Sequence, residues 1–179
     1  MKRIISRRNF LKLGVLGAAL PIQAYAKIGH AEIERTLHFY NLHTGESANL
    51  IYWEKGQYIP ESLAEINHVL RDFRTGQVEA IDPKLLDLLH RVNAKLGAAQ
   101  PFHVISGFRS PVSNAMLEET TTGVAKHSLH MDGKAIDVRI PGIELTSLRR
   151  AGLVLHEGGV GYYPSSNFVH LDTGRPRFW

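Results

Sequence analysis

The chain contains no cysteine. That excludes disulfides, thiolate metal ligands and a cysteine nucleophile, so any bound metal must rest on nitrogen and oxygen donors. Ten histidines keep that route open. A membrane-spanning run is missing too. The apolar stretch from Leu13 to Leu20 is short and rich in glycine and alanine, too short to cross a bilayer comfortably. A basic surplus is missing once the N-terminus is set aside. Residues 1 to 26 carry Lys2, Arg3, Arg7, Arg8 and Lys12 and no acid, which leaves 16 basic against 17 acidic side chains in the remainder. That balance points to no nucleic-acid partner.

What is present first is an export signal. Ser6-Arg7-Arg8-Asn9-Phe10-Leu11-Lys12 has the form of a twin-arginine motif, followed by the apolar stretch and by Ala24-Tyr25-Ala26, a small-x-small cleavage site. Residues 1 to 26 therefore read as a removed signal peptide and residues 27 to 179 as a single domain, exported to the periplasm. No stable membrane insertion is expected after cleavage. Oligomeric state is not specified by these features.

In the remaining chain, residues 35 to 41 and 48 to 53 alternate as two strands around a turn at residues 43 to 46. Leu63, Ile66, Leu70 and Phe73 recur at helical spacing, with Gly76 as the stop. Asp82-Pro83 is a capped helix start, and Leu85, Leu86, Leu89, Val92 and Leu96 follow up to Gly97. Residues 101 to 106 suggest a strand running into the turn Gly107-Phe108-Arg109-Ser110-Pro111. A short helix over 113 to 119 and a polar loop over 120 to 127 follow. Residues 134 to 140 alternate, with Asp137 on the face opposite Ile136 and Val138. A helix over 145 to 156 and strands over 160 to 163 and 168 to 172 complete an α+β pattern: helices packed on a mainly antiparallel sheet. His68 and His90 read as surface or core-edge residues on their helices.

Catalytic zinc commonly takes three nitrogen or oxygen ligands and leaves one position open. His130, just before Gly133, and Asp137, on the next strand, are two candidates. His170 comes from a separate strand, where it shares a face with Asp172. Taken singly, each histidine also reads as an ordinary hydrogen-bonded residue, and Asp137 as a surface strand carboxylate.

As a set, Ser128-x-His130-x-x-Gly133-x-Ala135-x-Asp137 with Phe168-Val169-His170-Leu171-Asp172 resembles the zinc D-Ala-D-Ala carboxypeptidase and Hedgehog-fold metallopeptidases. Ser106-Gly107-Phe108-Arg109-Ser110 resembles the arginine turn of that group, and Gly158 to Pro164 the approach to its last ligand. Asn41 to Glu46 and the twin-arginine signal turn the resemblance toward murein endopeptidases. It implies one zinc ion held by His130, Asp137 and His170, with peptidoglycan stem peptides as substrate. Hydrolysis would be metal-assisted, and a base would carry the water proton to the leaving amine. The meso-diaminopimelate to meso-diaminopimelate link is the bond it suggests. Arg109 would bind a substrate carboxylate or the developing oxyanion, or serve as a structural ion pair. Ser128 would bind substrate or satisfy loop backbone groups.

One departure stands out. Dipeptide-trimming relatives carry a glutamate three residues before the last histidine as base, and this chain has Asn167 there. Asp172 is the first substitute, with a role in orienting a ligand histidine as its alternative. His127 and Glu157 are weaker candidates. A D-Ala carboxypeptidase and a non-catalytic zinc-containing cell-wall binding module remain alternative functions.

Overall fold

Asn41 sits where the first strand must turn back, and its side chain makes that turn. Its Oδ1 accepts from the backbone N–H groups of His43 and Thr44 at 2.9 and 3.3 Å. In the computed structural model, which describes residues 34–120 and 125–179, β1 (Glu34–Asn41) and β2 (Ser47–Glu54) therefore pair antiparallel as a hairpin. The expected export segment lies outside the described residues, as does part of the expected polar loop.

α1 (Pro60–Val69) is shorter than its spacing predicts. The pattern runs through Leu70 and Phe73 to Gly76, but the helix stops at Val69. Asp72 is the physical reason. Its Oδ1 accepts from the N–H groups of Arg74 and Thr75 at 2.9 and 3.4 Å, and its own N–H donates to Gln77 O at 3.0 Å. An aspartate that bonds the backbone just ahead offers the chain a turn in place of a helix. Phe73 consequently leaves the helical face and stacks on His43, with ring centroids 3.6 Å apart.

α2 (Pro83–Leu96) follows its signals. Asp82 caps it by accepting from Lys84 N at 2.9 Å, and Gly97 ends it in the left-handed conformation. β4 (Phe102–Ser106), α3 (Pro111–Thr120), β5 (Ala135–Arg139), α4 (Leu145–Leu155), β6 (Gly159–Tyr163) and β7 (Phe168–Asp172) complete the main elements. Two strands of two residues each, β3 (Gln57–Tyr58) and β8 (Arg177–Phe178), were not expected. Neither is long enough to show an alternation.

All eight strands form one sheet, in the order β3-β2-β1-β4-β5-β7-β6-β8. Five neighbouring pairs are antiparallel; β1–β4 and β6–β8 are parallel. The expected α+β architecture on a mainly antiparallel sheet holds. One sheet face presents Phe39, Val104, Ile136, Val138, Val169 and Leu171, which join Leu85, Leu86, Leu89 and Val92 of α2 and Leu148 of α4 in a continuous core. Each such side chain stabilises the fold by about 1.5–3 kcal/mol through burial. The opposite face of β5 and β7 carries Asp137, His170 and Asp172. No helix among the described residues is long and apolar enough to cross a membrane.

Candidate metal centre

β5 and β7 run antiparallel in a register that sets Asp137 directly opposite His170. Their side chains therefore emerge side by side on the face away from the core. His130 approaches from a 3-10 turn, Leu129–Asp132, that lies just before β5. Ser128 caps this turn by accepting from His130 N at 3.4 Å. Gly133 ends it with φ +64, where a side chain would be strained and its Cβ would strike the carbonyl oxygen of Ala80. These constraints fold His130 back over Asp137, as the spacing suggested.

Three atoms converge. His130 Nε2 lies 3.2 Å from His170 Nδ1 and 3.4 Å from Asp137 Oδ1, and His170 Nδ1 lies 2.9 Å from Asp137 Oδ1. A tetrahedral zinc with bonds of about 2.0–2.1 Å has ligand–ligand edges of about 3.3–3.4 Å. The triangle is close to that size, and the three residues form a group able to hold a metal ion. All three are buried.

The other ring nitrogens are fixed from behind. His130 Nδ1 donates to Gly107 O at 2.7 Å, which leaves Nε2 as the atom facing the centre. His170 Nε2 donates to Asp172 Oδ2 at 2.9 Å, which does the same for Nδ1. This is the carboxylate–histidine arrangement that orients metal-binding imidazoles.

The electrostatics favour positive charge at this point. Burial would raise the Asp137 carboxyl, but His130 and His170 beside it hold it well below the usual carboxylate range. Burial would likewise lower His170, yet the carboxylates of Asp137 and Asp172 on its two nitrogens raise it to about 9. A site that draws a proton this strongly also suits a divalent cation.

Asp172 does not occupy a position suited to a base. It is fully buried behind His170. Its Oδ1 accepts from Gly159 N, Gly174 N and Arg177 Nη1 at 3.0, 2.8 and 3.0 Å, and its Oδ2 accepts from Arg177 Nη2 at 2.7 Å besides His170. With five hydrogen bonds accepted and no exposure, the carboxylate has no free direction in which to take a proton. Sharing a strand face with His170 places it behind that ring, on the nitrogen that faces away from Asp137 and His130. Glu157 pairs with Arg91 and is not among the residues that line the cavity holding His130, Asp137 and His170. His127 is exposed and does line it.

Arg109 reaches the centre from the turn after β4, where its N–H donates to His130 O at 3.1 Å. Nη2 lies 3.9 Å from Asp137 Oδ2, and Nη1 donates to Asn114 Oδ1 at 3.3 Å. The buried Nε has no partner among the described residues. Ser128 also lines the cavity, so its capping bond does not remove it from substrate reach. The cavity measures about 560 Å³ and has His130, Asp137, His170 and Arg109 among its lining residues.

Arg177, Asn114 and Trp179 were not found from the sequence. Arg177 and Trp179 follow a Gly-Arg-Pro stretch without periodicity, and Asn114 sits in a helix whose pattern carries no such signal.

Residues 29–179 match the family model described as "Peptidoglycan L,D-endopeptidase MepK". The chain belongs to that family. The Escherichia coli K12 peptidoglycan L,D-endopeptidase MepK is 46% identical over 177 residues, covering 97% of each chain. The probable peptidoglycan L,D-endopeptidase MepK of Haemophilus influenzae is 39% identical over 178 residues, 97% of this chain and 95% of its own. The crystal structure of the Serratia marcescens L-Ala D-Glu endopeptidase ChiX overlaps only loosely. It has a TM-score of 0.33 and 20% identity, and the overlap covers 50% of this chain and 67% of that one. The family match agrees with the resemblance drawn from the motifs of the His130, Asp137 and His170 segments.

Proposed function

We propose that this chain is a zinc-dependent murein endopeptidase that cuts peptide cross-links of peptidoglycan in the periplasm, after twin-arginine export and removal of residues 1 to 26. The observation that carries the reading is the donor triangle of His130, Asp137 and His170, of zinc-edge size and set in an open cavity beside an arginine. The names of the relatives support an L,D bond, in which the carbonyl belongs to an L centre and the nitrogen to a D centre. The meso-diaminopimelate to meso-diaminopimelate link is the bond proposed.

A zinc ion held by these three side chains would supply a Lewis acid that polarises the scissile carbonyl and acidifies water there. The protein's own residues do the rest. Gly107 O and Asp172 hold the two imidazoles in the ligating tautomer. Arg109 has donors to spare and offers them to the oxygen on which negative charge develops, or to a neighbouring carboxylate of the substrate. His127, which borders the cavity, is proposed in place of Asp172 to take the proton from water and return it to the leaving amine. Asn167, an amide, cannot do so.

The test uses cross-linked muropeptide dimers with the zinc-loaded protein. The expected product is monomer, without free D-alanine. His127→Ala should keep the metal and lose turnover. Release of D-alanine from intact dimers would instead establish a carboxypeptidase, and binding of dimers without any product would establish a binding module. A fully active His127→Ala variant would remove that residue as base.

A further inference from the structure

The hydrolysis outlined above makes no use of the aromatic wall on one side of the cavity. Trp179 stands beside His170, with ring centroids 5.3 Å apart. Its placement is fixed from several directions. The indole Nε1 donates to Tyr163 Oη at 2.7 Å, and the Arg177 guanidinium lies 5.0 Å from the indole centroid. Trp179 N donates to Val160 O at 3.3 Å, and Trp179 O accepts from Tyr162 N at 3.1 Å. Tyr163 in turn stacks on Phe168 with centroids 4.6 Å apart.

The sheet beneath is left bare to receive the ring. Gly161 is the register partner of His170. A Cβ there would lie 2.8 Å from indole Cε2 and Cζ2 and 2.8 Å from Tyr163 Cε2, closer than real contacts permit. So a glycine directly across from a ligand histidine lets Trp179 lie beside the centre. For all this fixation, Trp179 remains 46% exposed and lines the cavity.

An isolated exposed aromatic needs no explanation. A rigid one, hydrogen-bonded at its edge and facing a reacting centre, has little freedom left to lose when a ligand covers it. We propose that Trp179, backed by Tyr163 and Phe168, is a substrate subsite that packs against the aliphatic stem of the peptide residue adjoining the scissile bond. The inference rests on the murein endopeptidase reading. Distance selects peptide over sugar. The wall begins 5.3 Å from a ligand ring, and an extended chain covers about 3.3–3.6 Å per residue, so a group on the indole lies within two residues of the cut. Chemistry selects the stem. The indole offers an apolar surface to methylene groups, while Arg109, which lines the same cavity near Asp137, suits charged ends.

The experiment places Trp179 alone as reporter, in a Trp53→Phe background, since the chain has two tryptophans. Cross-linked muropeptide dimers added to chelator-treated protein should change the Trp179 emission saturably, and peptide-free glycan oligomers should not. In zinc-loaded protein otherwise wild type, Trp179→Ala should raise KM about tenfold and leave kcat within about threefold, whereas Trp179→Phe should stay near wild type. Emission that answers glycan alone, or a wild-type KM in a folded Trp179→Ala variant, overturns the subsite. If Trp179→Ala does not fold, the emission titration decides by itself. An emission response to dimers in protein that never cuts them keeps the subsite and removes the endopeptidase reading. Cutting with silent emission and an unchanged KM does the reverse.

Discussion

The His170 ring can present Nδ1 to the donor triangle because its Nε2 is held by Asp172, and Asp172 can hold it because Arg177 grips both carboxylate oxygens. A bidentate arginine pair fixes the carboxylate in plane as well as in position. Replacing Asp172 by asparagine keeps the shape and removes the charge. The expected result is a fall in zinc affinity of about 10–100-fold, read by competition against a chromophoric chelator, with the fold retained. An Asp172→Asn variant that binds zinc as wild type does, yet turns over far more slowly, would return the base role to that residue. The three ligand candidates were legible at this scale because each sits in a short motif of fixed spacing. Asp172 was legible as a neighbour of His170, as base or as support of the ring, but the sequence did not decide between the two roles. Which side of an imidazole a carboxylate occupies depends on Arg177, Gly159 and Gly174, and these converge only in three dimensions.

The turn that ends α1 also builds the site. Asp72 is buried, and its Oδ2 accepts from Ser110 N at 2.8 Å and Ser110 Oγ at 2.6 Å. It thereby ties the end of α1 to the turn carrying Arg109. Burial would raise its carboxyl, but hydrogen bonds from Ser110, Ser113 and the Arg74 backbone outweigh that and lower it from the ordinary 3.8 to about 2. A carboxyl lowered in the folded state stabilises the fold above its ordinary value, and that stability is lost as pH falls from there through the lowered one. The contribution is about 2 kcal/mol. Asp72→Ala should therefore lose about 2–4 kcal/mol at neutral pH, measured by urea unfolding. The gap to wild type should narrow as pH drops from 4 toward 2. A gap that stays constant over that range would show that the charge does not matter. Helical spacing overran this element because periodicity records only apolar positions. It does not register that Asp72 gives the backbone an alternative set of partners. The start of α2 was legible because Asp82 and Pro83 act on the nearest backbone groups.

Among the described residues, α1, α2 and α4 pack on the apolar face of one sheet while the opposite face of β5 and β7 carries Asp137 and His170. The α+β class followed from the mixture of periods. The strand order did not, because the register that sets Asp137 against His170 joins segments 33 residues apart. The two-residue strands β3 and β8 had no pattern to show, although β8 brings Arg177 behind Asp172 and leads to Trp179. Cross-link cleavage is proposed to depend on a single metal ion held by His130, Asp137 and His170. Titrating metal-free protein with zinc, while following zinc binding and sacculus digestion on the same preparation, tests that claim most directly. Digestion is expected to be absent at the start, to rise with zinc and to reach its plateau at about one equivalent per chain. In His170→Ala it should stay absent, with that equivalent no longer bound. Sacculus digestion by the metal-free protein, or undiminished digestion by His170→Ala, would contradict the claim.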